Sequence, residues 1–347
     1  METSEKINFA CDYSKGAHPN ILQRMMATNM LKTPGYGLDT ISDSARNRIR
    51  TACDCESATV EFLVGGTQTN LVVIDALLKS YQGVIAAETG HISVHEVGAI
   101  EAGGHKVLTL PHRYGKLSAA VVGDYMKAYY QDLNYAHMVM PGMVYISQPT
   151  EYGTLYSKAE LQALRDVCNQ YNLYLYVDGA RLAYALACPD NDVTLKDLAQ
   201  VCDVFYIGGT KCGALFGEAV VVPNRRTTIP HLFTMIKQHG ALLAKGRLLG
   251  IQFDELFRDD LYMHIGKPAI QAAARIRTAL QEKGYQLCFE SPTNQIFVVM
   301  DNNLLKSLGA QVEYGFWETY DDDHTIIRLA TDWGTTVEEI EALIERL

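Results

Sequence analysis

Apolar residues gather in short runs that alternate with amphipathic stretches over most of the chain. The runs Gly83 to Ala87, Lys106 to Leu110, Met143 to Ser147, Leu173 to Val177, Val204 to Ile207 and Ala219 to Val222 have strand length. Leu173 to Val177 and Val204 to Ile207 are continuously apolar, as strands covered on both faces are. Between the runs, Ser118 to Asp132 and Ser157 to Asn169 read as helices, the second opened by the capping-box pattern Ser157-Lys158-Ala159-Glu160. This alternation predicts an α/β fold, a mostly parallel sheet with helices on both faces.

The flanks read differently. An extended start at Ile7 to Cys11 precedes a helix from Pro19 to Met30, and Pro34-Gly35-Tyr36-Gly37 then breaks regular structure. A helix over Ser42 to Cys53 is followed by a strand at Thr59 to Val64, a turn at Gly65-Gly66-Thr67 and a helix from Asn70 to Tyr81. Pro230 to Tyr262 reads as one long helical bridge. Beyond it, helices at Pro268 to Lys283 and Thr336 to Arg346 with strands at Gln295 to Met300 and Thr325 to Ala330 suggest a smaller α+β unit. The expected division is an amino-terminal segment over 1–40 that contributes to an interface, a large domain over 41–245 and a small carboxy-terminal domain over 246–347.

With 347 residues, 48% of them hydrophobic, the chain has room for one large and one small domain. Acidic residues outnumber basic ones 40 to 30, a net charge of -10, and no run of lysine and arginine is interleaved with aromatics, so nucleic acid is not an expected partner. Met1 to Lys6 lacks the basic-then-apolar pattern of a secretory leader, and no stretch reaches the roughly 18 apolar residues of a membrane span. A cytoplasmic protein that does not engage membranes is expected. Eight cysteines show no paired spacing beyond Cys53 and Cys55, which predicts reduced, packed thiols, Cys212 among them, and no metal.

Two segments carry candidate chemistry. Asp178-Gly179-Ala180-Arg181 follows one buried run, and Gly208-Gly209-Thr210-Lys211 follows another. Both fall at carboxyl ends of predicted strands, where open α/β sheets form their binding crevices. A carboxylate and an amine presented together suit pyridoxal 5'-phosphate: the lysine can hold its aldehyde as a Schiff base, and the carboxylate can keep its pyridine nitrogen protonated. Alone, Asp178 reads rather as a helix N-cap after a strand, and Arg181 as a surface or ion-pair residue. On one helical turn both would face a single ligand, with Arg181 toward the phenolate oxygen of the cofactor.

Gly65-Gly66-Thr67-Gln68-Thr69-Asn70 offers glycines for close approach, free amides at a helix start and the hydroxyls of Thr67 and Thr69, the makings of a phosphate site, although a Gly-Gly turn also serves as plain connection. His91 and His95 are spaced to share a helix face. A flat imidazole stacked on a pyridine ring accounts for one of them better than a metal does, since no further ligands are in view. Arg328, inside the apolar strand Ile326 to Ala330, needs an anion, either a structural carboxylate or the α-carboxylate of a substrate.

Taken in order, these motifs resemble the threonine aldolases, in the fold-type I (aspartate-aminotransferase-like) group of pyridoxal-phosphate enzymes that also holds the β-eliminating lyases. The resemblance spans Asp12 to Trp333. It implies that Lys211 forms the Schiff base, Asp178 meets the ring nitrogen, His91 stacks on the ring, Gly66 and Thr67 bind the phosphate, and Arg181 lies near cofactor oxygen and substrate. It further implies that Arg328 grips the substrate carboxylate, and that the enzyme is a homodimer or homotetramer in which Tyr36 reaches a neighbour's site. The activity implied is cleavage of a β-hydroxy-α-amino acid to glycine and an aldehyde, with β-elimination from an aromatic or sulfur-containing amino acid as the alternative. Two segments depart from the pattern. Cys11-Asp12-Tyr13 stands where many aldolases have Ser-Asp-Thr, and Gln148-Pro149-Thr150-Glu151 replaces a Glu-Asn-Thr-His stretch. With that second histidine absent, the base acting on the substrate hydroxyl is left open among His95, Glu151 and a water on the cofactor phosphate.

Overall fold

The computed structural model describes residues 6–347, and among them the strands are β1 (Ile7–Asn8), β2 (Thr59–Leu63), β3 (Gln82–Ala87), β4 (Val107–Leu110), β5 (Met140–Ser147), β6 (Tyr174–Asp178), β7 (Val204–Gly208), β8 (Glu218–Val222), β9 (Gln295–Asp301), β10 (Val312–Glu313), β11 (Gly315–Thr319) and β12 (His324–Ala330). Seven of them form the main sheet in the order β2-β8-β7-β6-β5-β3-β4. Strands β3 to β7 run parallel, whereas β8 lies antiparallel to β7 and β2 antiparallel to β8. The mostly parallel sheet is therefore as the alternating pattern predicts.

Successive strand residues point to opposite faces, so a run that is apolar throughout needs cover on both sides. On one face Ile85, Val144, Val177 and Phe205 pack with Val122 and Met126 of the helix Ala119–Gln131 and Leu161 and Leu164 of the helix Lys158–Tyr171. On the other, Val84, Tyr145, Tyr176 and Tyr206 pack with Val72 and Val73 of the helix Gly66–Leu77. That second face carries three tyrosines on three adjacent strands. Buried phenols require hydrogen-bond partners, which the site supplies for Tyr145 and Tyr176.

A second sheet, β11-β12-β9, is antiparallel, and one face is closed by the helices Lys267–Glu282 and Val337–Arg346 through Ile276, Leu280, Ile340 and Leu343 against Ile296, Val298, Ile327 and Leu329. Strand β11 and the helix Asn302–Leu308 have no counterpart in the sequence reading. Gly315–Thr319 is a partly exposed edge strand without a buried alternation, and Asn302–Leu308 is only two turns long. The amino-terminal segment docks on this unit: β1 pairs parallel with β10, and the Ala330 amide donates to the Phe9 carbonyl at 2.8 Å. The reading of Met1 to Lys6 falls, apart from Lys6, outside the described residues.

The segment 230–262 is not one helix. It divides into Leu232–Gln238, Arg247–Leu256 and Leu261–His264, because Gly240 adopts φ +67° after the first piece and Asp259 and Asp260 turn left-handed before the last. Among the described residues no helix is long and apolar enough to cross a membrane.

Candidate active site

Adjacent parallel strands bring their carboxyl ends to one edge, so β6 delivers Asp178, β7 the loop to Lys211, β5 the loop to Glu151, and β3 the turn to His91. The β6 and β7 ends approach closely. A side chain on Gly179 would collide with the Tyr206 carbonyl and one on Gly208 with the Ala180 carbonyl, and the Gly208 amide donates to the Gly179 carbonyl at 2.9 Å. Glycine at both positions lets the carboxylate and the amine face one space.

That space is a cavity of about 300 Å³ lined by Gly66, Thr67, His91, Asp178, Arg181 and Lys211. Six positions singled out from sequence, spread over 146 residues (66 to 211), thus share one wall. Lys211 is partly buried, and burial followed by the Arg181 charge lowers its pKa from that of a free amine. Its carbonyl accepts the Tyr184 hydroxyl at 2.6 Å, which pins the backbone beneath the amine.

Asp178 is buried and held by three donors: the Tyr145 hydroxyl at 2.6 Å and Asn70 Nδ2 at 3.2 Å on Oδ2, and the Ala180 amide at 2.9 Å on Oδ1. Asn70 in turn accepts the Tyr176 hydroxyl at 2.8 Å and donates to Glu96 Oε1 at 2.7 Å, and the same Glu96 oxygen lies 2.8 Å from His91 Nδ1. One network therefore fixes both the carboxylate and the imidazole ring. Tyr145, Tyr176, Asn70 and Glu96 were missed in the sequence. The signal available was a tyrosine in each of several otherwise aliphatic strands, since each phenol demands a polar partner.

The helix Gly66–Leu77 begins four residues earlier than its apolar pattern suggests. Gly65 caps it without a side chain, so the first-turn amides of Gly66 and Thr67 face outward unpaired. A Cβ on Gly66 would press to 3.1 Å from the Tyr206 hydroxyl, which marks how tightly this cradle is drawn. Thr67 is exposed to the cavity. Thr69 is not a ligand donor, contrary to expectation: it is fully buried and its hydroxyl donates to the Gly65 carbonyl at 2.9 Å, closing the turn instead.

Arg181 lines the cavity, but not from a shared helical turn with Asp178, which ends β6 while Arg181 precedes the helix Leu182–Ala187. Its guanidinium is engaged by Asp12, Nε to Oδ2 at 2.6 Å and Nη2 to Oδ1 at 3.1 Å. Burial acts to raise the Asp12 carboxyl, yet Arg181, Lys211 and Asn294 outweigh it and hold the group below the ordinary carboxylate range. Glu218, also on the cavity wall, accepts the Thr210 hydroxyl and the Gly209 amide, and burial pushes its pKa up to about 8.

Arg328 does not line the cavity. Its Nη2 donates to the Ala10 carbonyl at 3.0 Å and its Nη1 to Gln295 Oε1 at 3.3 Å, its Nε is buried without a partner, and among the described residues no carboxylate pairs with it. Tyr36 lies apart as well, its ring 4.7 Å from Lys237 Nζ. His91 and His95 stand with ring centroids 5.5 Å apart, and His95 is exposed.

The donor set fits pyridoxal 5'-phosphate. An amine of lowered basicity, an oriented carboxylate, an uncapped helix start and a ring-sized imidazole are what its aldehyde, ring nitrogen, phosphate and ring face each require. The profile of the β-eliminating lyase family matches residues 8–316.

The chain belongs to the β-eliminating lyase family.

Among its relatives within and around this β-eliminating lyase family, the low specificity L-threonine aldolase of Pseudomonas aeruginosa is 30% identical over 354 residues, covering 98% of this chain and 97% of that one. The enzyme of the same name from Pseudomonas sp. is 32% identical over 314 residues, 88% of each. The solved structure of a Leishmania major threonine aldolase superposes with a TM-score of 0.93 at 42% identity over 97% of both chains. A Thermus thermophilus aspartate aminotransferase shares the fold at a TM-score of 0.71 and 14% identity. The β-eliminating lyase family member described here is thus an aminotransferase-like α/β protein with a small antiparallel carboxy-terminal sheet.

Proposed function

We propose that this protein is a pyridoxal-phosphate-dependent aldolase that cleaves the Cα–Cβ bond of a β-hydroxy-α-amino acid such as threonine or allo-threonine, giving glycine and an aldehyde. The convergence of Lys211 and Asp178 on one cavity, in a chain so similar to threonine aldolases, carries the reading. When bound, pyridoxal 5'-phosphate supplies a ring that accepts the electron pair of the broken bond.

The chain's own residues do the rest. Lys211 would hold the aldehyde, its lowered basicity leaving a larger share of free amine for that bond. Asp178, kept in orientation by Tyr145 and Asn70, would meet the ring nitrogen, and His91, fixed by Glu96, would cover the ring face. Gly66 and Thr67 would hold the phosphate at the helix start. Arg328 stands behind the cavity wall, near enough to feel the charge of Arg181, and would bind the substrate carboxylate, a role favoured by its unpaired Nε and its lack of an acidic partner. Arg181, its plane set by Asp12, would border the cofactor oxygen and the substrate.

The reading includes a cytoplasmic homodimer or homotetramer in which Tyr36 of one copy borders the cavity of another. Exposed Met26, Met30 and Leu38, near Tyr36 in sequence, support an assembly surface there. Product analysis tests the reaction. With threonine, allo-threonine and phenylserine, glycine and the matching aldehyde should appear in equal amounts; a 2-oxo acid and ammonia without glycine would replace aldol cleavage with β-elimination.

A further inference from the structure

Glu151, named so far only as one of three candidate bases, is a buried carboxyl on the cavity wall. It lies in the connection that leads from the end of β5 at Ser147 to the helix Lys158–Tyr171. Its Oε1 accepts two hydrogen bonds, from the His91 amide at 2.9 Å and from the Ser147 hydroxyl at 2.8 Å. No described residue donates to its Oε2. Burying a carboxyl is costly unless its oxygens are satisfied, so a half-satisfied one on a cavity wall calls for a donor from whatever fills the cavity.

The same loop is tied to the arginine assigned to the substrate carboxylate. Buried Gln295 donates from Nε2 to the Glu151 carbonyl at 3.3 Å and accepts from Arg328 Nη1 on Oε1 at 3.3 Å. One amide side chain therefore sets the spacing between Glu151 and Arg328. A substrate held by its carboxylate at Arg328 and by its nitrogen at the cofactor has one further hydrogen-bond donor to offer, the hydroxyl on Cβ.

Resting on the aldolase reading above, we propose that Glu151 is a catalytic residue that takes the proton from the substrate's β-hydroxyl. The O–H electron pair becomes the second bond of the aldehyde carbonyl as the Cα–Cβ bond breaks, and the pair from that bond passes into the cofactor ring. A proton delivered to Cα completes glycine, so no other reactant is consumed. Of the two alternatives, His95 is exposed and absent from the cavity wall, and a water on the cofactor phosphate would leave cleavage intact when Glu151 is replaced.

Burial raises the Glu151 pKa, as does Asp178, against the pull of Ser147 and His91. Arg181, Tyr145, Tyr152 and Tyr156 are the other titratable groups that feel its charge. A carboxyl moved toward neutrality is better matched to exchanging a proton with a hydroxyl than an ordinary one.

The test uses the holoenzyme and its Glu151→Gln variant, with 2-aminobutyrate, which is threonine without the hydroxyl, as a binding probe read from the visible band. Threonine cleavage should fall by about 10²- to 10⁴-fold in the variant. The acid limb of the kcat/KM profile, where native Glu151 becomes protonated, should vanish. Affinity for 2-aminobutyrate and the exchange of the glycine α-proton in D₂O should stay within about twofold, because neither involves a β-hydroxyl. If the variant cleaves threonine as the native enzyme does, or if probe affinity and glycine exchange collapse along with cleavage, Glu151 is not the base. A native enzyme that releases no glycine from any β-hydroxy amino acid would instead overturn the aldolase reading itself.

Discussion

Arg181 and Asp12 form a two-point ion pair although 169 residues separate them, with Nε–Oδ2 at 2.6 Å and Nη2–Oδ1 at 3.1 Å. Both are buried, and Asn294 adds a third donor to Asp12 Oδ2 at 3.0 Å. The contact fastens the amino-terminal segment to the edge of the main sheet beside Lys211.

Removing one member of such a pair leaves the other charge buried alone. Asp12→Ala should therefore cost about 3–5 kcal/mol of folding stability, far more than an exposed ion pair would. Urea unfolding of the cofactor-free protein measures it, and a loss below about 1 kcal/mol would mean that Arg181 finds other solvation.

Tyr145→Phe deletes the shortest hydrogen bond to Asp178 without changing the shape of the core. The freed carboxylate oxygen keeps only Asn70, so cofactor affinity should weaken about tenfold, the worth of one charge-assisted hydrogen bond. Titration of the cofactor-free variant with pyridoxal 5'-phosphate reads the change.

How far this arrangement was legible beforehand differs by residue. Lys211 and Asp178 stood out because each follows a run too apolar to be anything but a buried strand, and parallel strands must end on the same edge. Gly66 and Thr67 were legible as a glycine turn opening a helix after β2, and His91 through its four-residue spacing from His95 and the fit of an imidazole to a flat ring. The sequence concealed what holds them. Asp12, Asn70, Glu96 and Glu218 contact the site or its residues through tertiary packing alone, and no local spacing announces an ion pair across 169 residues. The broken helix at 230–262 was hidden for a related cause: its apolar periodicity continues across Gly240, whose left-handed backbone interrupts the helix without interrupting the pattern.

Arg328→Lys preserves the charge but not the planar fork. If Arg328 binds the substrate carboxylate, KM for threonine should rise about 10- to 100-fold while the cofactor spectrum stays unchanged. Steady-state kinetics alongside the visible spectrum separate this from a general loss of structure.

Glu218 links stability to pH. Its pKa in the fold is about 8, above the ordinary glutamate value of 4.5, so between these limits the folded protein binds more protons than the unfolded chain. Its contribution to stability is complete below the ordinary value and is lost as pH rises through about 8. Glu218→Gln mimics the protonated form, and its melting temperature should gain on that of the native protein from pH 5 to pH 8. Parallel melting curves at all pH values would contradict the shift.

The account depends above all on Lys211 holding pyridoxal 5'-phosphate opposite Asp178. Reducing the cofactor-loaded protein with borohydride and mapping the modified peptide tests this most directly. The visible band should disappear and the reduced cofactor should be found on Lys211; a label on any other lysine, or a protein that acquires no visible band with the cofactor, would contradict the account.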